Sequence, residues 1–458
     1  MSEFYNKEVF LTNQTAVRLY GKVSGLPIYD YHSHVPPRDI AEDKVFDNIG
    51  QMWLSGDHYK WRLMRIAGIA EEYITGGRSY KEKFMMFAKA LETAVGNPLY
   101  HWSHFELRQY FGIDTPLCHD TAEEIWNRAN SVIAQKQLSP KKLIACSNVA
   151  YIGTTDDVID DLSWHRSIKD DRGFSTVVAP SFRTDNLLLI RRDGYAEYIQ
   201  KLGSISVVAT DSLDGMMEAV GKRLDYFKQA GCTFTDVGIP LFPERISTKE
   251  EAERIYGKAL AGEKIDDGEY HGFIGFMYLF LAAEYAKREL VMQLHIGVMR
   301  NCNSSYFNTI GPDCGGDCVG DPINPTAFAA LFDRMQSQNA LPKTIVYTLN
   351  PTSYYIMATV CGAFRGVTLG AAWWFNDHLR GIIEQLNIFA ELSNLGTFYG
   401  MLSDSRSFLS YPRHDYFRRI LCDFVGNKIE SGEYPENQTT YDMLEKICCG
   451  NIAGVIEG

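Results

Sequence analysis

The sequence predicts an α/β fold: a closed parallel (β/α)8 TIM barrel with a large helical insertion after strand 1 and a C-terminal helical appendage. Three observations predict it. Eight short runs rich in β-branched and aromatic residues recur along the chain, they are nearly continuous apolar segments rather than alternating ones, and helical patterns separate them. Continuous runs are what strands covered on both faces look like. Eight strand–helix units close into a barrel more readily than they make an open sheet. A chain of 458 residues, 45% of them hydrophobic, can bury such a core.

Residues 1–26 read as a helical lead-in to the first strand, Pro27–His34, which Pro36 and Pro37 stop at once. The first segment is thus 1–39, the insertion 40–140, and the remaining barrel with its C-terminal helices 141–458. Within the insertion Lys81–Val95 is the clearest amphipathic helix, and Thr121–Gln135 opens on Thr121 as N-cap with Glu124 at the capping-box position. The other strands are expected at Asn148–Thr155, Ser175–Phe182, Phe234–Pro240, Leu290–Ile296, Thr344–Asn350, Gly366–Phe375 and Phe398–Ser403. Helices are expected between them, among them Met216–Ala230, Lys249–Ala261, Ile274–Lys287, Thr326–Gln338 and Leu379–Leu392, with Asp415–Asn427 and Thr440–Gly450 closing the chain.

A net charge of -12 argues against nucleic acid as a partner, because neutralising phosphates needs a basic face. The N-terminus has no apolar core of a signal peptide and no window reaches ~18 apolar residues, so a cytoplasmic protein without a membrane partner is expected. The 10 cysteines are scattered apart from Cys314/Cys318 and Cys448-Cys449, and read as reduced thiols.

In a barrel the active site is built from the C-terminal strand ends. The first strand ends in His32 and His34, which share a face roughly 6 to 7 Å apart and can turn toward one point as metal ligands. Two surface histidines are the alternative. Asp404, beyond the last run, could complete a His/His/Asp site or take a proton, or simply cap a turn. His295 could be a fourth ligand, a proton carrier or a core residue. Arg183, Arg300 and Arg406 are expected to converge on one mouth, where unpaired guanidiniums would repel one another unless an anion or carboxylates sat among them. In the insertion, residues 56–62 either make a buried polar corner or a lid that brings His58 and Tyr59 over the metal as proton donor and acceptor.

The segments DYHSH (30–34), GDHYKWR (56–62), PSFRTDN (180–186), QLHIGVMRN (293–301), GPDCGGDCVGD (311–321), AAWWFND (371–377) and MLSDSRSFLSYPRHDYFRR (401–419), in this order over essentially the whole chain, resemble uronate isomerases of the amidohydrolase superfamily. The resemblance implies interconversion of D-glucuronate with D-fructuronate and of D-galacturonate with D-tagaturonate. It implies one divalent metal ion, usually zinc, on His32, His34 and Asp404, with His295 nearby. It also implies a pocket for a uronic acid lined by His58, Tyr59, Arg183, Arg300, Trp373 or Trp374, and Arg406, in a homo-oligomer. The run 235–238 lacks a lysine and the run 344–350 lacks a histidine, which disfavours a binuclear hydrolase centre.

The expected mechanism is proton transfer through a cis-enediol, with the substrate carboxylate on Arg183 and Arg300 and with Asp404 or Tyr59 as base, assisted by His58 and Arg406. Tyr59 would need a metal or cationic neighbours to act as a phenolate. A mononuclear zinc amidohydrolase, acting as hydrolase or deaminase, is the alternative enzyme and gives no reason for three arginines beside a His-Tyr pair. A catalytically dead uronate sensor is the alternative non-enzyme and predicts the loss of a ligand or proton-transfer residue, none of which is missing.

Overall fold

A computed structural model describes residues 4–238 and 241–458. Nine strands are assigned: β1 (Ile28–Asp30), β2 (Val149–Asp157), β3 (Val177–Arg183), β4 (Phe234–Asp236), β5 (Val291–Ile296), β6 (Val298–Met299), β7 (Cys318–Val319), β8 (Thr344–Thr348) and β9 (Val367–Leu369). Seven of them form one curled sheet in the order β1-β2-β3-β4-β5-β8-β9, every pairing parallel. β5 and β8 are buried at every position, as continuous apolar runs require. The antiparallel β6–β7 pair stands apart from the sheet, and nothing in the apolar pattern signalled it.

Seven of the eight expected runs contain a sheet strand; the run Phe398–Ser403 does not. Its hydrogen bonds explain why. Ser403 donates its backbone N–H and its hydroxyl to the Asp30 carboxylate, at 2.7 and 2.5 Å. Asp404 N–H donates to the His32 carbonyl and His34 N–H to the Ser405 carbonyl, at 3.2 and 2.9 Å. A side chain thus replaces part of the ladder, and left-handed backbone at Gly400 (φ 71°) and Asp404 (φ 45°) interrupts the extended path. The β4 run is shorter than expected, and its predicted end, Ile239 and Pro240, lies outside the described residues.

β1 also stops early, at Asp30, so His32 and His34 follow the strand instead of lying in it. Gly153 of β2 allows this segment to approach. A Cβ there would stand 2.5 Å from the Tyr31 carbonyl oxygen, whereas Ser33 N–H donates to the Gly153 carbonyl at 2.8 Å.

Between β1 and β2 the described chain contains helices and no strand. Tyr80–Leu91 is started by a full capping box, with Ser79 and Glu82 bonded reciprocally. Thr121 holds the N-cap position of Ala122–Lys136 as expected, but its side chain makes no capping bond: the hydroxyl donates to the Pro116 carbonyl at 2.6 Å. The helices after each strand fall where the periodicity puts them, for example Leu213–Gln229, Lys249–Leu260, Pro325–Ser337 and Leu379–Leu392. No described helix is long and apolar enough to cross a membrane, and all ten cysteines are free thiols.

Candidate active site

His32, His34 and Asp404 meet at the carboxyl end of the sheet. Asp404 Oδ1 lies 3.4 Å from His32 Nε2 and 3.1 Å from His34 Nε2. Its Oδ2 accepts hydrogen bonds from Trp373 Nε1 at 2.9 Å and from the Tyr59 hydroxyl at 3.3 Å. The Thr155 hydroxyl stands 3.4 Å from the Ser33 carbonyl and 2.7 Å from His34 Nδ1. Burial holds the His34 imidazole down to about 4. Its Nε2 faces the Asp404 carboxylate, and the gap between them suits a proton or a cation.

A second group of potential ligands shares His32: His32, Asp236 and His295. Asp236 Oδ1 accepts from His295 Nδ1 at 2.8 Å, which leaves His295 Nε2 buried and without a partner among the described residues. The His32 and His295 rings stack with centroids 4.4 Å apart. Burial opposes charge on His32, yet Asp236 and Asp404 together hold it above its ordinary range. Burial likewise opposes ionisation of Asp404, but its hydrogen bonds to His32 and His34 keep the carboxyl well below the usual range. Two imidazoles and a carboxylate are a donor set that suits a divalent ion such as zinc, and an ionised carboxylate turned to both imidazoles is a place where positive charge fits.

A cavity of about 540 Å³ opens over these groups. His32, His34, His58, Arg183, Asp236, His295, Arg300, Trp373, Trp374, Asp404 and Arg406 all line it, so ten of the eleven residues singled out from the sequence meet in one space. Tyr59 is the exception. It lines an adjoining cavity of about 220 Å³ with His58 and Trp374, and its hydroxyl reaches Asp404. Burial, reinforced by Asp404, pushes the Tyr59 phenol well above its ordinary range, opposite to what a phenolate base needs.

The three arginines converge as expected but are not unpaired. Arg183 stands 3.1 Å from both Asp185 and Asp236, Arg300 is 2.8 Å from Asp317, and Arg406 is 2.7 Å from Asp313. Paired guanidiniums coexist around one cavity without mutual repulsion, and each keeps donors for a further anion.

Comparison with known proteins identifies what this arrangement belongs to. The family model for glucuronate isomerase matches residues 1–454. The chain is 44% identical over 454 residues to the uronate isomerase of Caldanaerobacter subterraneus subsp. tengcongensis, covering 98% of this chain and 97% of that one. The chain belongs to the uronate isomerase family. It is 43% identical to the Clostridium perfringens uronate isomerase, with 99% of each chain covered. The crystal structure of the Thermotoga maritima uronate isomerase superposes with a TM-score of 0.95 at 33% identity, covering 99% of this chain and 100% of that one. This uronate isomerase is accordingly an enzyme of aldose–ketose interconversion acting on uronates.

The sequence reasoning missed the acidic partners of the isomerase site. Asp236 stands in the strand-four run that was inspected only for a lysine, and Asp313 and Asp317 stand in a motif singled out for its resemblance. Their roles depend on which loops face one another, which spacing does not encode. The GDHYKWR segment forms the buried polar corner of the two readings. Asp57 caps the helix His58–Ile66 and pairs with the buried Lys60 at 2.6 Å, while the next two residues reach the site. Behind Tyr59, the buried Arg413 donates to the Ser403 carbonyl at 3.0 Å and lies 3.9 Å from the Trp102 ring centre.

Glu106 belongs to the same buried corner, accepting from Trp53 Nε1. Burial pushes its carboxyl from 4.5 up to about 7, against the pull of Lys60 and Arg413. The folded state therefore binds more protons than the unfolded state across this window, so Glu106 contributes stability below pH 4.5 that is lost as pH rises through 7. Glu106→Gln should reduce the drop in unfolding free energy across this window by about 3 kcal/mol. Urea unfolding of both proteins on either side of it measures the change; an unchanged drop contradicts the assignment.

Proposed function

We propose that the chain is a (β/α)8 barrel in which Phe398–Ser405 is the eighth stave and residues 40–140 are an insertion serving as lid, and that its mouth isomerises uronates by proton transfer through a cis-enediol. His32, His34 and Asp404 would hold one divalent ion, zinc being the choice that fits two imidazoles and a carboxylate. When bound, the ion supplies Lewis acidity toward substrate oxygens. The observation that carries this reading is the Asp404 carboxylate, with one oxygen turned to two imidazoles and the other to Tyr59 and Trp373.

Arg183 and Arg300 receive the C6 carboxylate of the open-chain sugar. Both lie on the cavity wall with their acidic partners fixing the guanidinium planes, so little orientation is lost on binding. Trp373 and Trp374 cover the cavity beside them and exclude water. Asp404 takes the C2 proton and returns it at C1. Its Oδ2, steadied by Trp373 and Tyr59, is the oxygen turned away from the imidazoles and takes this role. Tyr59, kept protonated by its surroundings, donates its hydrogen bond to Oδ2 and orients the carboxylate. His58, held neutral mainly by burial and by Arg406, faces the same cavity as a proton acceptor or donor for the substrate hydroxyls. Arg406 stabilises the enediolate charge.

Incubation with D-glucuronate in deuterated water tests this reading. Ketose should form with deuterium at C1 whenever Asp404 exchanges its proton before returning it. Ketose that stays unlabelled in deuterated water, while C2-deuterated substrate in ordinary water delivers its deuterium to C1 without dilution, in every single-turnover time course, points to hydride transfer and contradicts the mechanism.

A further inference from the structure

The segment GPDCGGDCVGD supplies Asp317 to Arg300, but the mechanism leaves its other cavity-facing acid, Asp313, unused. Asp313 is held in left-handed backbone, at φ 57°, between Gly311 and Gly315, which also have positive φ. The loop around it is strapped to the helix His58–Ile66. Arg62 donates to the Gly315 and Asp317 carbonyls at 3.2 and 2.8 Å, and Arg65 donates to the Cys314 carbonyl. A carboxylate anchored this way is placed in advance and does not depend on an arriving ligand for its position.

Its two oxygens are used unequally. Oδ2 accepts from Arg406 Nη2 at 2.7 Å. Oδ1 stands 3.9 Å from Arg300 Nη1, beyond hydrogen-bond reach, and accepts no hydrogen bond from the described residues. Arg406 and Arg300 keep the carboxyl ionised against the effect of its burial. The cavity therefore presents an ionised acceptor oxygen with unused capacity, and a sugar chain carries hydroxyl donors.

The position of that oxygen relative to Arg300 decides which hydroxyl it meets. If Arg300 grips the C6 carboxylate, an oxygen 3.9 Å from the same guanidinium is within reach of groups one or two carbons along, at C5 and C4. C4 is the carbon at which glucuronate and galacturonate differ. We propose that Asp313 is a specificity-determining residue of this isomerase, its Oδ1 accepting a hydrogen bond from the C4 hydroxyl of one epimer and thereby setting the preference between the two. The proposal rests on the assignment of the substrate carboxylate to Arg300.

The test compares kcat/KM for D-glucuronate and D-galacturonate in the parent enzyme, Asp313→Asn, Asp313→Ala and Arg300→Met, each checked for an unchanged melting curve. Losing a charged acceptor for one hydroxyl should change the epimer ratio by about 10-fold or more in both Asp313 variants, mainly through KM of the preferred sugar. Arg300→Met should raise KM for both sugars by a similar factor and leave the ratio within about 2-fold, because both carry the same carboxylate. An unchanged ratio in the Asp313 variants beside a raised KM in Arg300→Met overturns the proposal alone. A fall in both KM values on Asp313→Asn overturns it too, since Asp313 would then be competing with the substrate carboxylate. An unchanged KM in Arg300→Met overturns the carboxylate assignment on which the proposal stands.

Discussion

Asp404→Asn should lower kcat on uronates by about 10³-fold or more, the range lost when a positioned proton-transfer group is removed together with a ligand charge. The substitution isolates chemistry from folding. Asn is among the residues that tolerate left-handed backbone, so the φ of 45° at this position is kept. The Asn side chain can still accept from Trp373 and Tyr59, which fill one side of the carboxylate. What it cannot do is offer an anionic oxygen to His32 and His34 or carry the C2 proton. Steady-state kinetics beside a melting curve checks the result, and a folded variant within about 10-fold of the parent rate would contradict the role given to Asp404.

Tyr59→Phe should lower kcat by about 10²-fold while KM moves by no more than about 3-fold. Tyr59 does not line the substrate cavity; its hydroxyl stands 3.3 Å from Asp404 Oδ2 and its ring packs against His58 and Trp374. Removing that hydroxyl leaves the ring between Trp102 and Trp374 in place, so the loss falls on orientation of the carboxylate and not on sugar binding. The same kinetic comparison decides it. A KM effect larger than the kcat effect would make Tyr59 a binding residue instead.

The residues of the site were largely legible because metal and anion chemistry uses few side-chain types and a barrel collects strand ends. Asp404 is far in the chain from His32 and His34, and the expected adjacency of the first and last runs of a barrel pointed to their meeting. What stayed hidden has specific causes. The eighth run looked like a strand, but Asp30 takes over part of the hydrogen bonding that a neighbouring strand would supply to Ser403. Carboxylates among the arginines were expected, but which ones stayed open because Asp185, Asp236, Asp313 and Asp317 meet them only through folding. Tyr59 was open as a base because its burial, which keeps the phenol protonated, has no signature in the letters around it. Thr121 matched the capping pattern, yet a nearby carbonyl claims its hydroxyl.

The most direct measurement is the metal content of the purified chain, by elemental analysis after exhaustive dialysis, for the parent and for His32→Asn, His34→Asn and Asp404→Asn. One divalent ion per chain in the parent, lost in each of the three variants, is the predicted result. Two ions per chain, or full retention of one ion in all three variants, would contradict a single cation held by His32, His34 and Asp404.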